Sequence, residues 1–412
     1  MFQLKVNGVR LRQSIEELSK IGRQPEGGIS RFTFSPADVQ AREYVSKLMK
    51  DSGLAVQVDP FGNIIGRMRG IHDGLPTVMC GSHIDTVPNG GPLDGAYGVL
   101  SGIEAARTIH ERNVPLEHPL EVVAFTEEEG FRFASFIGSL GLTGVLKRED
   151  AYALEDNDGL SFERALIDAG LDARSLSPLH KSPREVKAYV ELHIEQGPVL
   201  DRERIPIGVV KSIVGLGELR VELEGTAGHA GTTPMSFRRD ALLGASHIVL
   251  GVKEIVRRKR GAVATVGSLL VSPNASNVIS GKVTLTIDFR DHESEGLRAL
   301  QKDLIQLTRD VAKEDYLKAR IVRKGFTKPA RMSPKMMSVI ITSARSLGLA
   351  YKEMVSGAGH DCQNMARITD AGMIFVPSLA GVSHAPNEST SRYHLESGAN
   401  VLLNTLLQLA NE

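Results

Sequence analysis

The stretch GSHIDTVPNGGPLDGAYGVLSGIEA, residues 81–105, contains the most informative pattern of the sequence. An apolar strand at 77–80 leads into it, and a Gly/Pro-rich loop carries the chain to Asp94 at the start of a predicted helix. Because side chains two residues apart share one face of a strand, His83 and Asp85 are expected to point the same way. Ligands of open α/β sheets collect beyond the carboxyl ends of the strands. The stretch therefore predicts a divalent-metal site with His83 and Asp94 as ligands and with Asp85 orienting the imidazole. The competing interpretation is a helix cap and a turn carboxylate.

On both sides of this stretch, short β-branched segments alternate with segments of helical periodicity. Strands are predicted at 54–59, 63–68, 77–82, 120–126 and 188–194. Helices are predicted at 8–22, 36–53, after residue 95 and near 137–147. This alternation predicts a layered α/β domain with helices packed against a sheet.

The pattern of apolar and polar residues changes at about residue 212. A compact α+β pattern follows, with an alternating strand from 212, a helix at 240–260, strands at 263–270 and 282–290, and a helix at 296–315. The first pattern then resumes with a helix near 335–347, a strand at 373–376 and a helix at roughly 392–410. The sequence thus predicts an α/β fold whose layered domain, with a central mixed sheet, covers 1–211 and 326–412 and is interrupted by an α+β insert over 212–325.

The bulk composition of the 412 residues points to a small partner. Lys plus Arg and Asp plus Glu both total 49, so no net field favours nucleic acid or an anionic membrane. The two cysteines, Cys80 and Cys362, are expected to be reduced thiols, which indicates a cytoplasmic protein. No segment approaches eighteen uninterrupted apolar residues, and the first residues lack the pattern of a secretory leader.

Three consecutive carboxylates follow the strand at 120–126, within EVVAFTEEEGFRFASFIGS at 121–139. Acids that are crowded at a buried strand end repel one another, unless a cation neutralises them or one of them holds a proton. A metal site satisfies both conditions. The alternative is a solvated acidic loop, which is the usual meaning of a short acidic run.

Two further histidines lie at predicted strand ends. His193 and Glu195 are two residues apart in ELHIEQGPVL at 191–200, and His384 lies in the loop GVSHAPNE just past the strand at 373–376. A lone histidine at such a place is more often structural than a ligand. Four strand ends that each offer His or a carboxylate favour a metal centre, and nitrogen and oxygen donors suit Zn, Mn, Co or Ni.

With these motifs the sequence resembles the dinuclear-metal aminoacylase and carboxypeptidase superfamily. Within it the chain is similar to the branch of N-carbamoyl-L-amino acid hydrolases, allantoate amidohydrolases and β-ureidopropionases. The resemblance runs over essentially the whole chain through GSHIDTVPNGGPLDG, AFTEEEGFRF, ELHIEQGPVL, GTAGHAGTTPMSFRRD, SNVISGKVTLTIDFRD, SGAGHD and GVSHAPNE.

The resemblance implies two divalent metal ions per subunit. Asp94 would bridge them, and the other ligands would be His83 and His193 on one side and Glu129 and His384 on the other. Glu128 would be the general base because the family has its base immediately before the metal-binding glutamate. The run Glu127-Glu128-Glu129 leaves the register of this assignment open.

The resemblance also implies a homodimer and a set of substrate contacts. His229 would reach across the dimer interface to stabilise the oxyanion, so the insert would serve as a lid and dimerisation domain. The substrate carboxylate and ureido group would be held by Asn277, Arg290, Gln196, Gly359 and His360. Arg290 has a simpler alternative, because Asp288 and Asp291 lie beside it and can pair with it.

The expected substrate is a small ureido-carboxylate, hydrolysed to an amino acid, ammonia and carbon dioxide. Allantoate and β-ureidopropionate are alternatives. A peptidase or aminoacylase is less favoured, because those branches usually carry another acidic metal ligand where His193 stands. A scaffold without catalysis is less favoured because every ligand is present. The stretch Val214-Gly215-Leu216-Gly217-Glu218 has Leu where allantoate enzymes generally have Gln, and this favours N-carbamoyl-L-amino acids. The stretch 377–381, PSLAG, is closer to the allantoate pattern.

Overall fold

The computed structural model describes residues 4–171, 181–259 and 261–412. Its helices are α1 (Gly8–Lys20), α2 (Pro36–Asp51), α3 (Ala96–Glu111), α4 (Ile137–Leu142), α5 (Arg148–Tyr152), α6 (Phe162–Asp168), α7 (Val199–Glu203), α8 (Ala241–Arg257), α9 (Ser294–Glu314), α10 (Pro334–Ser346), α11 (Asp361–Met365) and α12 (Arg392–Asn411). Its strands are β1 (Ala55–Val58), β2 (Ile64–Met68), β3 (Thr77–His83), β4 (Leu120–Phe125), β5 (Val186–Ile194), β6 (Ile207–Ile213), β7 (Gly215–Glu224), β8 (Gly228–His229), β9 (Val263–Ser272), β10 (Val278–Ile279), β11 (Lys282–Asp291), β12 (Lys318–Thr327), β13 (Ala330–Arg331), β14 (Tyr351–Ser356) and β15 (Asp370–Val376).

The chain forms two compact units, one of Met1–Lys211 with Arg331–Glu412 and the other of Ser212–Ala330. The α/β fold class with a central mixed sheet is confirmed. The second boundary lies later than the predicted residue 325, because β12 continues to Thr327, which pairs with Leu216 of β7. None of the helices in the described ranges has the length and apolar character needed to span a membrane.

The sheet of the first unit has the strand order β1-β2-β4-β3-β5-β15-β6-β13, and β14 pairs with β6. The central strands β4, β3, β5 and β15 are parallel to their neighbours in this group. Their carboxyl ends therefore meet at one edge of the sheet. In the register, His83 lies beside Phe125, the last residue of β4, and His193 lies beside Phe375 of β15. This parallel core explains why four separate sequence motifs converge.

Helix α3 packs against β3, β4 and β5, and α12 packs against α3. Nearly every residue of α3 is buried, and the Tyr97 hydroxyl donates to the carbonyl of Leu395 at 2.7 Å. Small residues let this helix lie close to the sheet. The predicted helix at 137–147 is shorter, since α4 ends at Leu142 and Gly144 adopts φ 71°. A left-handed glycine of this kind ends a helix.

The second unit is an antiparallel sheet with the order β12-β7-β11-β9, against which α8 and α9 pack. The side chains of β7 and β11 alternate between buried and more exposed positions, as expected for a sheet covered on one face. Beside this sheet, β8 and β10 form a short antiparallel pair that aligns His229 with Val278. The alternation predicted from residue 212 onward is observed here.

Candidate metal centre

All five side chains predicted as ligands lie together at the carboxyl edge of the first unit's sheet. Ligand atoms of His83, Asp94 and His193 lie within 4.8 Å of one another, and so do those of Asp94, Glu129 and His384. Asp94 belongs to both groups. The donors are imidazole nitrogens and carboxylate oxygens, a set that suits Zn or a similar first-row divalent ion. The arrangement is therefore suited to binding metal.

Asp94 lies between the two groups of donors. Its Oδ1 is 3.1 Å from His193 Nε2 and 3.6 Å from His83 Nε2, whereas its Oδ2 is 3.0 Å from His384 Nε2. Burial alone would raise the pKa of Asp94, but hydrogen bonds with His193 and His384 and the nearby His83 imidazole outweigh burial and hold that pKa well below its usual range. The carboxylate is thus ionised, and each of its oxygens faces a different group.

The orientation of the two buried imidazoles is fixed by backbone carbonyls. His83 Nδ1 lies 3.1 Å from the carbonyl of Asp85, and His193 Nδ1 lies 2.8 Å from the carbonyl of Ile194. A carbonyl only accepts hydrogen bonds, so each Nδ1 carries a proton, and each Nε2, which faces Asp94, presents a lone pair once its own proton has left. This is the tautomer that a metal-ligating histidine needs.

Gly95 follows Asp94 because no larger residue fits. It adopts φ 63°, a conformation that favours glycine, and a Cβ at this position would overlap the His83 imidazole. Its backbone N–H lies 3.1 Å from His193 Nε2. The start of α3 is therefore pressed directly against the imidazole pair.

Asp85 acts differently from the prediction that its side chain orients His83. The carboxylate is 3.6 Å from His83 Nδ1, too far for a hydrogen bond, and it is the backbone carbonyl of Asp85 that contacts the ring. The carboxylate instead accepts the backbone N–H groups of Glu128, at 3.3 Å, and Glu129, at 3.1 Å. Asp85 thus anchors the acidic run. Local spacing could not indicate this long-range contact.

The three glutamates of the acidic run face different surroundings. Glu127 adopts φ 57°, and its Oε1 accepts the backbone N–H groups of Arg132 and Phe133 at 2.8 and 2.9 Å. Glu128 Oε2 lies 3.7 Å from His83 Nε2, and Glu129 Oε1 lies 3.6 Å from the His384 Nε2. Only the second and third glutamates therefore point toward the imidazoles, whereas the first closes its own loop.

Burial raises the pKa of each glutamate in the run. The pKa rises to about 7 for Glu127, with help from the Asp85 charge, and to about 7 for Glu129, beside Asp94. The pKa of Glu128 lies well above its usual range. A bound cation would displace these protons and would balance the charges of the crowded carboxylates. The residues present fit a metal centre.

Gln196, a predicted substrate contact, lies at the rim of this cluster with φ 57°. Its Nε2 donates to Asp94 Oδ2 at 2.8 Å and lies 3.3 Å from His384 Nε2. Its Oε1 is buried, and within the described ranges it has no hydrogen-bond partner. The amide therefore offers an unused acceptor beside the candidate ligands.

The other predicted substrate contact in the first unit is the pair Gly359-His360, and the two residues have different surroundings. The His360 side chain is only 1% exposed, packs edge-on against His193 with ring centroids 4.7 Å apart, and lies 2.9 Å from Ser356 Oγ. Burial lowers the pKa of His360 well below its usual range, so the ring is neutral. The imidazole supports His193 from behind, whereas Gly359 is only half-buried.

The remaining predicted residues lie in the second unit. His229 is exposed on β8, and the carbonyl of Asn277 accepts the N–H of Ala230 at 3.0 Å, so the short β8–β10 pair brings the two together. Arg290 Nε donates to Asp288 Oδ1 at 2.9 Å, the ion pair that the simpler interpretation predicted. Arg290 also lies directly opposite Leu216 in the β11–β7 register.

The sequence reading missed Glu388 and Ser383. Glu388 Oε1 accepts the N–H groups of Leu93 and Asp94, and its Oε2 accepts the Ser383 hydroxyl. Both residues lie inside the motif GVSHAPNE, where only His384 had been considered. An acid four residues after a predicted ligand was the available signal.

A mixed, helix-flanked sheet with an inserted α+β unit, and with imidazoles and carboxylates gathered at its strand ends, defines a two-domain α/β hydrolase of the metal-binding type. The chain belongs to Peptidase family M20/M25/M40, whose model matches residues 79–408, and within it to the amidases of the hydantoinase/carbamoylase family. The resemblance inferred from the motifs is thereby confirmed.

Relatives of the chain match it along its length. It is 41% identical to the N-carbamoyl-L-amino acid amidohydrolase of Geobacillus stearothermophilus over 98% of this chain and 99% of that protein. It is 36% identical to the allantoate amidohydrolase of Bacillus subtilis over 96% of each chain. The crystal structure of a hydantoinase/carbamoylase family amidase from Burkholderia multivorans, 37% identical, superposes with a TM-score of 0.93 over 99% of both chains.

Proposed function

We propose that the protein is a metal-dependent amidohydrolase that cleaves the carbamoyl amide of N-carbamoyl-L-amino acids. Water is added to the ureido carbonyl, and the amino acid, ammonia and carbon dioxide are released. The observation that carries the proposal is the position of Asp94, whose two oxygens each face separate imidazole donors. The name of the amidohydrolase relative supports the substrate class.

The proposal assigns two divalent ions to each subunit, from among Zn, Mn, Co and Ni. Asp94 would be shared, with His83 and His193 on one side and Glu129 and His384 on the other. When bound, such a pair supplies a polarised carbonyl and a water of lowered pKa. The nitrogen and oxygen donor set supports this choice of ions.

Glu128 is the proposed general base. Its buried carboxyl lies beside His83 and next in sequence to Glu129, and burial raises its pKa. A carboxyl whose pKa is raised toward neutrality can take a proton from water and return it to the leaving nitrogen. The alternative base, Glu127, is already engaged with the backbone of Arg132 and Phe133.

His229 is the proposed oxyanion donor. Its Nδ1 accepts the backbone N–H groups of Gly231 and Thr232 at 3.0 and 3.2 Å. An Nδ1 that accepts must be unprotonated, so Nε2 carries the hydrogen and is available as a donor. The exposed side chain of His229 would donate this hydrogen to the developing oxyanion in the site of a partner subunit.

The proposed homodimer is supported by the surface of the second unit. Strand β9 is at the edge of its sheet, and Leu270 on it is 68% exposed, while Leu250 on the neighbouring α8 is 63% exposed. A long apolar edge strand of this kind associates readily with another strand. A second copy of the chain offers the same edge, and pairing of two identical edges is an isologous contact.

Substrate selection is assigned to the two units separately. In the second unit, Arg290 and Asn277 would hold the substrate carboxylate. This carboxylate would replace Asp288 as the ion-pair partner of Arg290. Leu216, opposite Arg290, offers no amide for a second ureido group, which favours N-carbamoyl-L-amino acids over allantoate. In the first unit, the unused Oε1 of Gln196 would accept an N–H of the carbamoyl group. Gly359 would contact the substrate through its backbone.

The free and buried Cys80 and Cys362 suit a reducing compartment, and we propose a cytoplasmic setting. Allantoate amidohydrolase is the second candidate function, since one relative carries that name. β-Ureidopropionate hydrolysis and peptidase or aminoacylase activity are less favoured candidates. Each of these predicts a different preferred substrate.

The test uses the apo-protein reloaded with Mn²⁺, Co²⁺ or Zn²⁺. Ammonia release is measured with N-carbamoyl-L-methionine, β-ureidopropionate and allantoate as substrates. Hydrolysis of a dipeptide is measured as release of amine. The highest kcat/KM is expected with N-carbamoyl-L-methionine. The variant Leu216→Gln should move the ratio of kcat/KM toward allantoate. A preference of the unaltered protein for allantoate, or turnover of the dipeptide alone, would overturn the proposed substrate.

A further inference from the structure

Glu388 connects the loop that carries Asp94 to the loop that carries His384. Its Oε1 accepts the backbone N–H of Leu93 at 2.8 Å and that of Asp94 at 3.0 Å. Its Oε2 accepts the Ser383 hydroxyl at 2.8 Å, one residue before His384. We propose that Glu388 is a positioning residue that sets the separation of Asp94 and His384 and thereby fixes the Asp94–Glu129–His384 side of the metal centre. The inference rests on the metal placement proposed above.

The Glu388 carboxylate is buried, and both of its oxygens accept hydrogen bonds. Glu388 is 3% exposed, and each of its oxygens has at least one donor. Burial raises the pKa of Glu388, and the nearby Asp94 charge adds to that rise. Removing such a group leaves buried N–H donors without an acceptor, which is unfavourable. A side chain under these constraints holds its two loops in one arrangement.

The loops that Glu388 joins are far apart in sequence, 294 residues between it and Asp94. The N–H of Glu388 donates to the carbonyl of Ala385 at 3.0 Å, so the turn that follows His384 is itself closed. On the other loop, a Cβ at Gly91 would overlap the Glu388 carboxylate. The second glycine of PNGGPLDG, Gly91, is therefore required by this contact.

Ser383 completes the connection. Its Oγ is 2.8 Å from Glu388 Oε2 and 3.2 Å from Asp94 Oδ2. A hydroxyl has one hydrogen to donate, and an ionised Glu388 accepts it at the shorter distance. With its hydrogen turned to Glu388, Ser383 does not compete with His384 and the Gln196 amide for Asp94 Oδ2.

Glu388 is not itself a ligand in this arrangement. It belongs to none of the metal-compatible groups found among the described residues. The other side of the centre has separate supports, because His83 and His193 are oriented by the carbonyls of Asp85 and Ile194. Loss of Glu388 should therefore loosen the His384 side of the centre more than the other side, which shares only Asp94 with it.

The experiment titrates the apo-forms of the full chain with Co²⁺, followed by calorimetry and by the visible absorption of bound cobalt. In Glu388→Ala, affinity for one of the two ions should fall about 10–100-fold, the usual effect of removing an outer partner of a ligand. The other ion, which shares Asp94, should be weakened much less. Glu388→Gln should keep near-normal affinity, because its carbonyl oxygen still accepts both N–H groups and its amide still reaches Ser383.

Two further variants separate positioning from general stability. Asp59→Asn alters another buried carboxylate that accepts two backbone N–H groups, from Phe61 and Asn63, so it should lower the melting temperature without changing the cobalt isotherm. Ser383→Ala breaks the link to the His384 loop alone, and it should weaken the same ion as Glu388→Ala. It tests the proposal even if Glu388→Ala does not fold.

Equal weakening of both ions in Glu388→Ala, or unchanged binding of both in Glu388→Ala and Ser383→Ala, would overturn the positioning role. Loss of one ion in Asp59→Asn would also overturn it. Failure of the proposed metal placement has a different signature, because the unaltered protein would then bind fewer than two cobalt ions. Binding of two ions with selective loss in Glu388→Ala supports both inferences.

Discussion

The Asp85 carboxylate accepts the backbone N–H of Glu129 at 3.1 Å, a contact between residues 44 positions apart. The end of β3 thereby holds the loop that follows β4. The same carboxylate accepts the N–H of Glu128, so the proposed base and a proposed ligand share one support. The spacing of the acidic run relative to His83 depends on this support.

We predict that Asp85→Ala lowers turnover and stability together. A buried N–H group, that of Glu128, and a partly buried one, that of Glu129, would lose their acceptor, at a cost of about 1–3 kcal/mol for a buried donor. Asp85→Asn, which keeps one carbonyl acceptor, should be milder on both counts. Urea unfolding and metal analysis of the two variants provide the check. An alanine variant with unchanged unfolding and full metal content would argue against the anchoring role.

Asp94→Ala is expected to lose both metal ions, because one carboxylate serves both groups of donors. Elemental analysis after gel filtration measures the content directly. Asp59→Asn is the matched buried carboxylate outside the centre and should keep both ions. Two tightly retained ions in Asp94→Ala would exclude a shared ligand at this position.

Glu128→Gln should retain metal and lose most turnover, by about 10²–10⁴-fold, since the amide cannot accept the proton. Glu127→Gln is the matched control. Its effect should fall on stability, because the Glu127 side chain closes the 127–133 loop. The opposite ranking, with turnover lost in Glu127→Gln and kept in Glu128→Gln, would show that the register of the acidic run is different.

The strand-end residues were predictable from the sequence because the rules that locate them are local. The apolar run before His83, the Gly-rich loop and the helical periodicity after Asp94 are contained in one stretch of chain. The parallel pairing of β3 with β4 and β5 then brought the other motifs to the same edge, as the strand-end rule requires.

The contacts that tune the centre were not predictable in the same way. The two carboxylates Asp85 and Glu388 are satisfied by backbone N–H groups distant in sequence, and no spacing indicates such partners. The orientation of the acidic run depends on the positive φ of Glu127, which a glutamate gives no local reason to expect. Arg290 formed the ion pair that the charge pattern allowed.

Metal binding should release protons. Burial raises the pKa of Glu129 to about 7, and the hydrogen bond with Asp94 raises the pKa of His384 to about 9. The nearby carboxylates also raise the pKa values of His83 and His193. At pH 7 the apo-protein therefore holds a proton on His384, a partial one on Glu129 and further protons on the buried imidazoles, and all of them must leave when these groups become ligands.

Because these pKa values are raised, protons compete more strongly as the pH falls. The affinity for metal is expected to rise with pH and to level off above the pKa of His384 at about 9. Calorimetry in two buffers of different ionisation enthalpy should show a net release of protons when the ions bind at pH 7. Proton uptake, or an affinity that falls as the pH rises, would contradict the assignment.

His229 is predicted to act in the site of the partner subunit. His229→Ala and Glu128→Gln should each be nearly inactive. When the two variants are mixed and exchange freely, about half of the dimers contain one chain of each, and each such dimer has one complete site out of two. Activity should therefore return to about one quarter of normal. His247→Ala, which alters an exposed histidine paired with Asp315 in the same unit, should stay active alone. Mass spectrometry of tagged chains verifies exchange. Verified mixed dimers without turnover would place His229 outside the partner's site.

The interruption of the first unit by Ser212–Ala330 sets an order of events during synthesis on the ribosome. Strands β5 and β6 emerge before the insert, but β15, their shared neighbour, is made only after the insert. The insert has all the strands of its own sheet and is expected to fold while β5 and β6 still present open edges. The nascent chain therefore needs protection from aggregation along those edges, most of all while residues 331–376 are being made. The cluster around Asp94 is completed only after His384 leaves the exit tunnel.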